Sequence, residues 1–502
     1  MTPELAAARV EKLTALLDVG KAMSSERNLD RLLRLILGEV TRVMEADRSS
    51  IFLVDRERNE LWSKIAQGLA VQEIRIAIGK GIAGHVARTG QPLNIPDAYA
   101  DPRFNPDTDQ RTGYRTRNVL CAPMCNKRNE VIGVLQVLNK HHGPFTEEDE
   151  ELLLAFSSQA AAAVENAILY EDIRKLFDGF ITASVYAIES RDPTTSGHSE
   201  RVAVLTIGLA EQVDRVAVGP YVGVRFSAED LRELRYAALL HDFGKVGVRE
   251  PVLVKANKLH DHHLELIAAR FRCIEMSLEN EALTRKLSLT FAPGGGSEAE
   301  LAAVDATLRR RLVEVNEQFQ FILEANTPAR LPEGGADRIR DIAAQTYLDT
   351  DGCEQPYLTP KEVESLLVVN GTLNAEERLE IESHVAHSFR FLCQIPWTTD
   401  LRQIPAIAYA HHEKLDGTGY PSALRGNDIP FQAKMITICD IYDALTAADR
   451  PYKRAVTPEH ALDILQGEAD GGHLDPELVR IFTESRTWAL SLPMRSTQPS
   501  AN

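Results

Sequence analysis

A chain of 502 residues is too long for one ordinary hydrophobic core and implies several domains. Its 44% hydrophobic and 26% charged residues are ordinary for globular protein. A net charge of −17 argues against general binding to DNA, RNA or anionic membranes, yet leaves room for a local basic pocket that takes a small anionic substrate.

Residues 4–45 read as mostly helical, with Leu29, Leu32, Leu33, Ile36, Leu37 and Val40 at helical spacing. Short strands follow at SSIFLVD (49–55), IRIAIG, PLNIP, NVLCAP and VIGVLQVLN, separated by Gly, Pro and Asp turns. A second helical stretch starts near Glu147, so residues 1–168 are expected to form one α+β domain, an antiparallel sheet with flanking helices. From Leu152 to about Ser190 the chain stays helical. Within it Leu169, Ile173, Leu176, Phe180, Ala183 and Ala187 alternate spacings of four and three, a heptad seam that predicts a linker helix over 169–190 and a homodimer. From there to about 487 the chain reads as all-α, without a convincing strand pattern. Residues 260–370 are rich in Glu, Arg, Ala and Leu and broken by PGGGS (293–297) and LPEGG (331–335). The tail, 488–502, is expected to be disordered.

Six scattered cysteines form no zinc pattern, since only Cys121 and Cys125 are close; reduced thiols in the cytoplasm are expected. The opening MTPELAAARVEKL lacks the apolar core of a signal peptide, and no run of about 18 apolar residues exists, so no membrane insertion is expected.

The second half carries His198, His241-Asp242, His384, His411-His412 and Asp440. Imidazole nitrogens and carboxylate oxygens without sulfur suit a hard or borderline divalent metal. Adjacent His-Asp can serve one ion, or the carboxylate can bridge two; adjacent histidines can each serve a different ion. Two ions are a standard device for phosphoester hydrolysis. The contexts read GHSERV (197–202), LLHDFGKVGV (239–248), HHEKLDGTGYP (411–421) and ICDIYDALTAADRPYKRA (438–455). Four such contexts in this order are specific where one His-Asp pair would be weak.

Over about 176–258 and 370–485 these residues resemble the HD-GYP phosphodiesterases of the HD hydrolase superfamily, with HHExxDGxGYP matched in full by His411, His412, Glu413, Asp416, Gly417, Gly419, Tyr420 and Pro421. The resemblance implies an HD-GYP domain over 176–487 and metal ligands His198, His241, Asp242, His384, His411, His412 and Asp440. It implies two divalent ions, iron or manganese, with Asp242 and Lys245 catalytic, the lysine meeting the substrate phosphate or the attacking hydroxide. Arg450 and Lys453 would hold the other phosphate, and Gly417, Gly419 and Tyr420 would place backbone N–H groups and a ring beside the substrate. The extra carboxylate that gives some members a third ion would stand at Thr194; Glu189 is a less obvious replacement. His241 and His384 lie 143 residues apart, far more than the family's usual spacing, so about 260–370 reads as a helical insertion outside the metal site. His387, one turn beyond, competes with His384, and His260, His262 and His263 read as an exposed helix start.

The first half resembles the cyclic-nucleotide-phosphodiesterase class of GAF domains over roughly 28–168, through the signature Asn139, Lys140, Phe145, Asp149 and Glu150 and the stretch that begins GIAGHVARTG. The match implies a ligand pocket lined by Ser49, Ile82, Ala83, Asp109, Thr112, Thr116 and Gln136, with cyclic AMP or cyclic GMP as the ligand. Lys140 and Asp149 would clip a strand end to the next helix. The expected function is hydrolysis of a cyclic dinucleotide, cyclic di-GMP first, to the linear dinucleotide or GMP, under GAF control. The alternatives are a catalytically weak nucleotide sensor acting through partners and a cyclic GMP-AMP phosphodiesterase.

Overall fold

Helix α1 (Leu29–Val43) starts where the Asn28 side chain accepts the N–H of Arg31, and it buries Leu32, Leu33, Ile36, Leu37 and Val40. These elements come from a computed structural model that describes residues 20–23, 25–63, 74–191, 197–349, 351–447 and 455–491, with the side chains of 108, 111 and 112 outside the description. The chain divides into two units, Met1–Gly179 and Phe180–Asn502.

In the first unit, strands β1 (Ala46–Asp55), β2 (Glu60–Ser63), β3 (Ile74–Ala77), β4 (Leu93–Ile95), β5 (Val119–Cys125) and β6 (Val131–Lys140) form one sheet in the order β3-β2-β1-β6-β5-β4. Every neighbouring pair is antiparallel. Helices α2 (Gly81–Thr89) and α3 (Asp107–Thr112) interrupt the strand succession. The sheet is buried on both faces, and the period-2 alternation sorts its side chains. Ile51, Leu53, Leu135 and Val137 meet α1 and the long helix α4 (Glu147–Glu189), while Phe52, Val134 and Cys121 meet Ile82 and Val86 of α2. Strand β2 was not expected, because ELWS is too short to show alternation.

Along α4, Leu153, Phe156, Ala160, Val164 and Ala167 pack into the first unit's core. This packing explains why α4, by length and composition, is apolar enough to cross a membrane, with an 18-residue window of mean hydropathy 1.4. Farther on, Leu169, Ile173, Leu176 and Phe180 are exposed at 52%, 62%, 77% and 51%, and Ala183 and Ala187 are exposed too, so the heptad seam is uncovered in the single chain.

The second unit opens with α5 (His198–Asp214) and α6 (Ala228–Leu240), the latter started by a reciprocal Ser227–Asp230 capping box. A 3-10 turn (Phe243–Gly247) and one-turn α7 (Glu250–Leu253) follow. Next come α8 (Asp261–Thr290), α9 (Glu298–Ala325), α10 (Gly335–Ala343), strands β7 (Thr346–Leu348) and β8 (Glu354–Pro356), and α11 (Pro360–Leu366). This segment has a core of its own, with Ile267, Phe271, Ile274, Phe321, Ile322, Ile339, Tyr357 and Leu366 in one cluster. The β7–β8 hairpin corrects the all-helical reading. Its turn is built by the Asp349 carboxylate, which accepts the N–H groups of Asp351 and Cys353, and strands of three residues leave no period to read.

The last helices are α12 (Ala375–Glu382), α13 (His384–Leu392), α14 (Ile404–Tyr409), α15 (Phe431–Thr446), α16 (Pro458–Asp470) and α17 (Pro476–Glu484). A 3-10 turn, Thr487–Ser491, replaces disorder at the start of the expected tail, its Leu490 and Thr487 lying over Gly208 of α5. Residues 492–502 lie outside the described residues.

Candidate metal centre

Four helix ends bring the histidines together. His198 is the first residue of α5, His241 follows the end of α6, His384 is the first residue of α13, and His411-His412 follow α14. Asp440 comes from the middle of α15. Close packing sets the approach of these segments. A Cβ on Gly244 would fall 1.9 Å from the His384 carbonyl oxygen, so only glycine lets the turn after Asp242 lie against the start of α13. Ser388 then accepts the Gly244 N–H at 2.7 Å and donates to the His241 carbonyl at 2.8 Å.

Three histidines have their Nδ1 engaged locally: His241 on the Ala238 carbonyl at 2.6 Å, His384 on Ile381 at 2.5 Å and His411 on Ala408 at 2.6 Å. Each therefore turns Nε2 inward. His198 Nε2 lies 3.2 Å from Asp440 Oδ1 and 3.7 Å from Asp242 Oδ2, and His384 Nε2 lies 3.3 Å from Asp242 Oδ1. Asp242 thus faces His198 and His241 with one oxygen and His384 with the other. Three overlapping sets, His198/His241/Asp242, His241/His411/Asp440 and His384/His411/His412, each hold their ligand atoms within 4.8 Å of one another.

The Nε2 atoms of His241 and His411 are buried without a hydrogen-bond partner among the described residues. Orphaned imidazole nitrogens beside two carboxylates are what a divalent cation would satisfy, so the donor set fits such an ion. Burial and the neighbouring His412 hold His411 well below the usual imidazole range, and burial pushes His412 down to about 4, which keeps both rings neutral. Burial opposes protonation of His198, but Asp440 and Asp443 outweigh it and push that imidazole up to about 9. Burial also works against ionised Asp242, and the charges of Lys245 and His241 override it. Lys245 Nζ stands 2.8 Å from Asp242 Oδ2.

His387 does not enter the cluster; its ring packs against Gly247, where a Cβ would meet Nδ1 at 2.2 Å. His260, His262 and His263 sit at the start of α8, ring against ring, with His260 Nε2 3.3 Å from Glu377. Tyr420 lies over His412 with ring centroids 4.8 Å apart, beside a cis Tyr420–Pro421 bond. Gly417 has φ +80°, and a Cβ on Gly419 would fall 2.3 Å from Lys414 N and 2.6 Å from the His412 carbonyl oxygen. Glu413 accepts the N–H groups of Ser422 and Leu424, which closes the loop. Asp416 accepts the N–H and hydroxyl of Thr418 and faces His473 at 3.5 Å. Arg450, Lys453 and Thr194 lie outside the described residues. Glu189 spends both carboxylate oxygens on the N–H groups of Gly197 and Ser199.

Sequence reasoning missed Asp443. Its Oδ2 is 2.8 Å from His198 Nδ1, and Arg201 Nε binds its other oxygen at 2.7 Å. The signal was present: Asp440 and Asp443 are three apart on one helix and share a face.

In the first unit, Ile82 and Ala83 are buried at the start of α2, and Gln136 lies on the same sheet face, paired with Ser50 and Cys121 on the flanking strands. Ser49 is the exception and a correction. Its hydroxyl meets Thr41 at 2.6 Å and the Leu37 carbonyl at 3.0 Å, on the α1 face, because neighbouring strand residues point to opposite faces. Asp109 and Thr116 satisfy each other: Asp109 accepts the Thr116 N–H at 2.7 Å and its hydroxyl at 2.9 Å. The Thr112 side chain lies outside the description. Of the signature, Asn139 (φ 55°) accepts the Arg117 N–H and donates to the Arg115 carbonyl, Phe145 is buried, and Glu150 follows Asp149 in the first turn of α4. Lys140 pairs with Asp149, which also accepts the Thr146 N–H at 2.7 Å.

Residues 28–164 match the GAF domain family, and two segments, 195–276 and 357–478, match HD domain families. A probable 3′,5′-cyclic phosphodiesterase, pde-5, of Caenorhabditis elegans is 38% identical over 173 residues, 32% of this chain and 24% of the relative; the chain thus spans about a quarter of that relative's length. Among solved structures, the GAF domain of a phosphoenolpyruvate-protein phosphotransferase from Coxiella burnetii matches with a TM-score of 0.30 and 24% identity, over 32% of this chain and 96% of that one. Its Acinetobacter counterpart gives 0.29 and 23%, over 32% and 98%. The chain carries an N-terminal GAF domain with an antiparallel sheet, followed by a helical HD domain region.

Proposed function

We propose that the second unit is a metal-dependent phosphodiesterase that opens a cyclic dinucleotide, cyclic di-GMP foremost, and that the GAF domain regulates it. One observation carries this reading: five histidines and two carboxylates gather in three overlapping ligand sets, with Lys245 against Asp242. His198, His241, His384, His411, His412, Asp242 and Asp440 would hold two divalent ions, iron or manganese. Such ions, when bound, supply Lewis acidity to a phosphoryl oxygen and lower the pKa of a water. The chain's own residues do the rest. Asp443 fixes the orientation of His198 through Nδ1. Lys245, held by Asp242, offers a cation to a phosphate oxygen. Tyr420 and the glycine loop line the approach beside His412, where an aromatic face and close backbone suit a nucleobase. Arg450 and Lys453 would neutralise the second phosphate.

The resemblance of HHEKLDGTGYP to the HD-GYP signature supports a cyclic dinucleotide over a mononucleotide. The name of the nematode relative supports a 3′,5′-cyclic nucleotide as a ligand, which we assign to the GAF pocket as an effector. A homodimer paired through the exposed seam of α4 is part of this reading. The test is turnover by the manganese- or iron-loaded full-length protein against cyclic di-GMP, cyclic GMP-AMP, cyclic AMP and cyclic GMP. Cyclic di-GMP should be opened fastest; hydrolysis of cyclic mononucleotides alone would overturn the substrate assignment.

A further inference from the structure

The end of α4 is wired to the metal centre by two side chains whose reach the sequence does not reveal. Glu189 is the last residue of α4. Its Oε2 accepts the N–H of Gly197 at 2.8 Å and its Oε1 accepts the N–H of Ser199 at 3.1 Å, so the two bonds flank His198 on either side. The N-cap of helix α5 is Gly197, at φ 67°, which has no side chain to cap with. A carboxylate here satisfies orphan donors and suits the positive end of the helix.

Two residues on, Arg191 forks its guanidinium onto the carbonyls of Val246 and Val248, the latter at 3.2 Å. These carbonyls close the 3-10 turn that begins directly after Asp242 and carries Lys245. On its other side that turn has no slack, because Gly244 abuts the His384 carbonyl and Gly247 abuts the His387 ring. Ile181, Val185 and Ile188 are buried at helical spacing, so the last two turns of α4 are packed and not frayed.

We infer that Glu189 and Arg191 are positioning residues of the metal centre. Through them the last turn of α4 sets where His198 stands relative to Asp242 and Lys245, and a turn or slide of this helix reaches the site as a change in ligand spacing. The inference rests on the reading of the cluster as a metal centre, and it gives that centre a regulatory input. A helix advances 1.5 Å and turns about 100° per residue, so a small change in register displaces both side chains together. Ligand spacing tolerates little of this, because metal–ligand distances are fixed within about 0.2 Å.

The test uses the metal-free full-length protein and reads Mn2+ affinity by electron paramagnetic resonance, with the thermal midpoint measured beside it. Glu189→Ala and Arg191→Ala should each weaken Mn2+ binding at least fivefold, with the metal-free midpoint within about 4 °C of wild type, the shift expected for about 1 kcal/mol. Glu189→Gln, which keeps one acceptor oxygen, should lose less. Arg191→Lys, which cannot fork to two carbonyls, should lose as much as the alanine variant. Should the alanine variants not fold, Glu189→Gln and Arg191→Lys carry the same comparison. Mn2+ binding within twofold of wild type in the folded variants would overturn the inference. So would a loss of affinity matched by a collapse of the midpoint, which marks a merely structural role. A wild-type protein that binds Mn2+ but opens no cyclic dinucleotide would refute the proposed substrate and leave this inference standing.

Discussion

Asp242 is the residue on which the proposed chemistry turns, because its two oxygens face different histidines. Asp242→Ala should abolish turnover and reduce bound metal, read by activity and elemental analysis on one sample; wild-type turnover with a full metal complement would contradict the assignment. Lys245→Ala should leave the metal in place and slow turnover on the order of 10²-fold, as loss of a charge contact in the transition state does. Asp443→Asn tests a different role. It keeps an oxygen for His198 Nδ1 but removes the charge that Arg201 clamps, and metal affinity should fall about 10- to 100-fold. Metal affinity unchanged in that variant would make Asp443 a packing residue. At this scale the sequence was informative where a residue's chemistry is rare in a core: seven histidine and aspartate positions were named, and they converge. It was silent on Asp443, whose partner stands 245 residues away, and it weighed Glu189 only as a ligand to a third ion, not as an acceptor for the backbone on either side of His198. It was misleading at Ser49, where a shift of one residue along a strand changes the face.

Among the elements, the junction of β6 and α4 shows a signature acting as structure. Asp149 sits in the first turn of α4, accepts from Thr146 and pairs with Lys140 at the end of β6. Burial opposes its ionisation, but the Lys140 and Thr146 bonds prevail and hold its carboxyl below the ordinary range. A depressed carboxylate contributes stability that is fully present above the unfolded value, about 3.9, and is lost as pH falls through the folded value. Asp149→Asn should therefore lower the thermal midpoint of the GAF domain at pH 7, by about 2 kcal/mol of stability, and leave it less sensitive to acid below about pH 4. An unchanged midpoint at pH 7 would contradict this. Elements long enough to show a period, such as α1 and β6, were legible in the sequence. Among the short strands, β3 and β4 were legible from IRIAIG and PLNIP, whereas β2, β7 and β8 were not, because turns and neighbours set their geometry.

For the whole molecule, the organisation into a GAF domain and a helical HD region was legible from composition breaks and spaced motifs, and the HD matches stop on either side of 277–356. The hydrophobic cluster there spans more than the interval, running from Leu259 to Leu366, and none of its residues belongs to the histidine–aspartate sets. Regulation belongs to this scale. Asp109 and Thr116, which we propose line the GAF ligand site, already satisfy each other, so a cyclic nucleotide there would have to compete with that pair. Cyclic AMP or cyclic GMP should change the turnover of the full-length protein, by roughly 5- to 150-fold in substrate affinity if the coupling is about 1–3 kcal/mol. Thr116→Ala should blunt the response and spare the basal rate, and a response untouched by this change would place the effector elsewhere. The central claim, a two-metal centre, is tested most directly by elemental analysis of anaerobically purified full-length protein beside Asp242→Ala. The account predicts about two iron or manganese ions per chain in the wild type and a clear loss in the variant. No more than a trace of any transition metal in the wild type would contradict it.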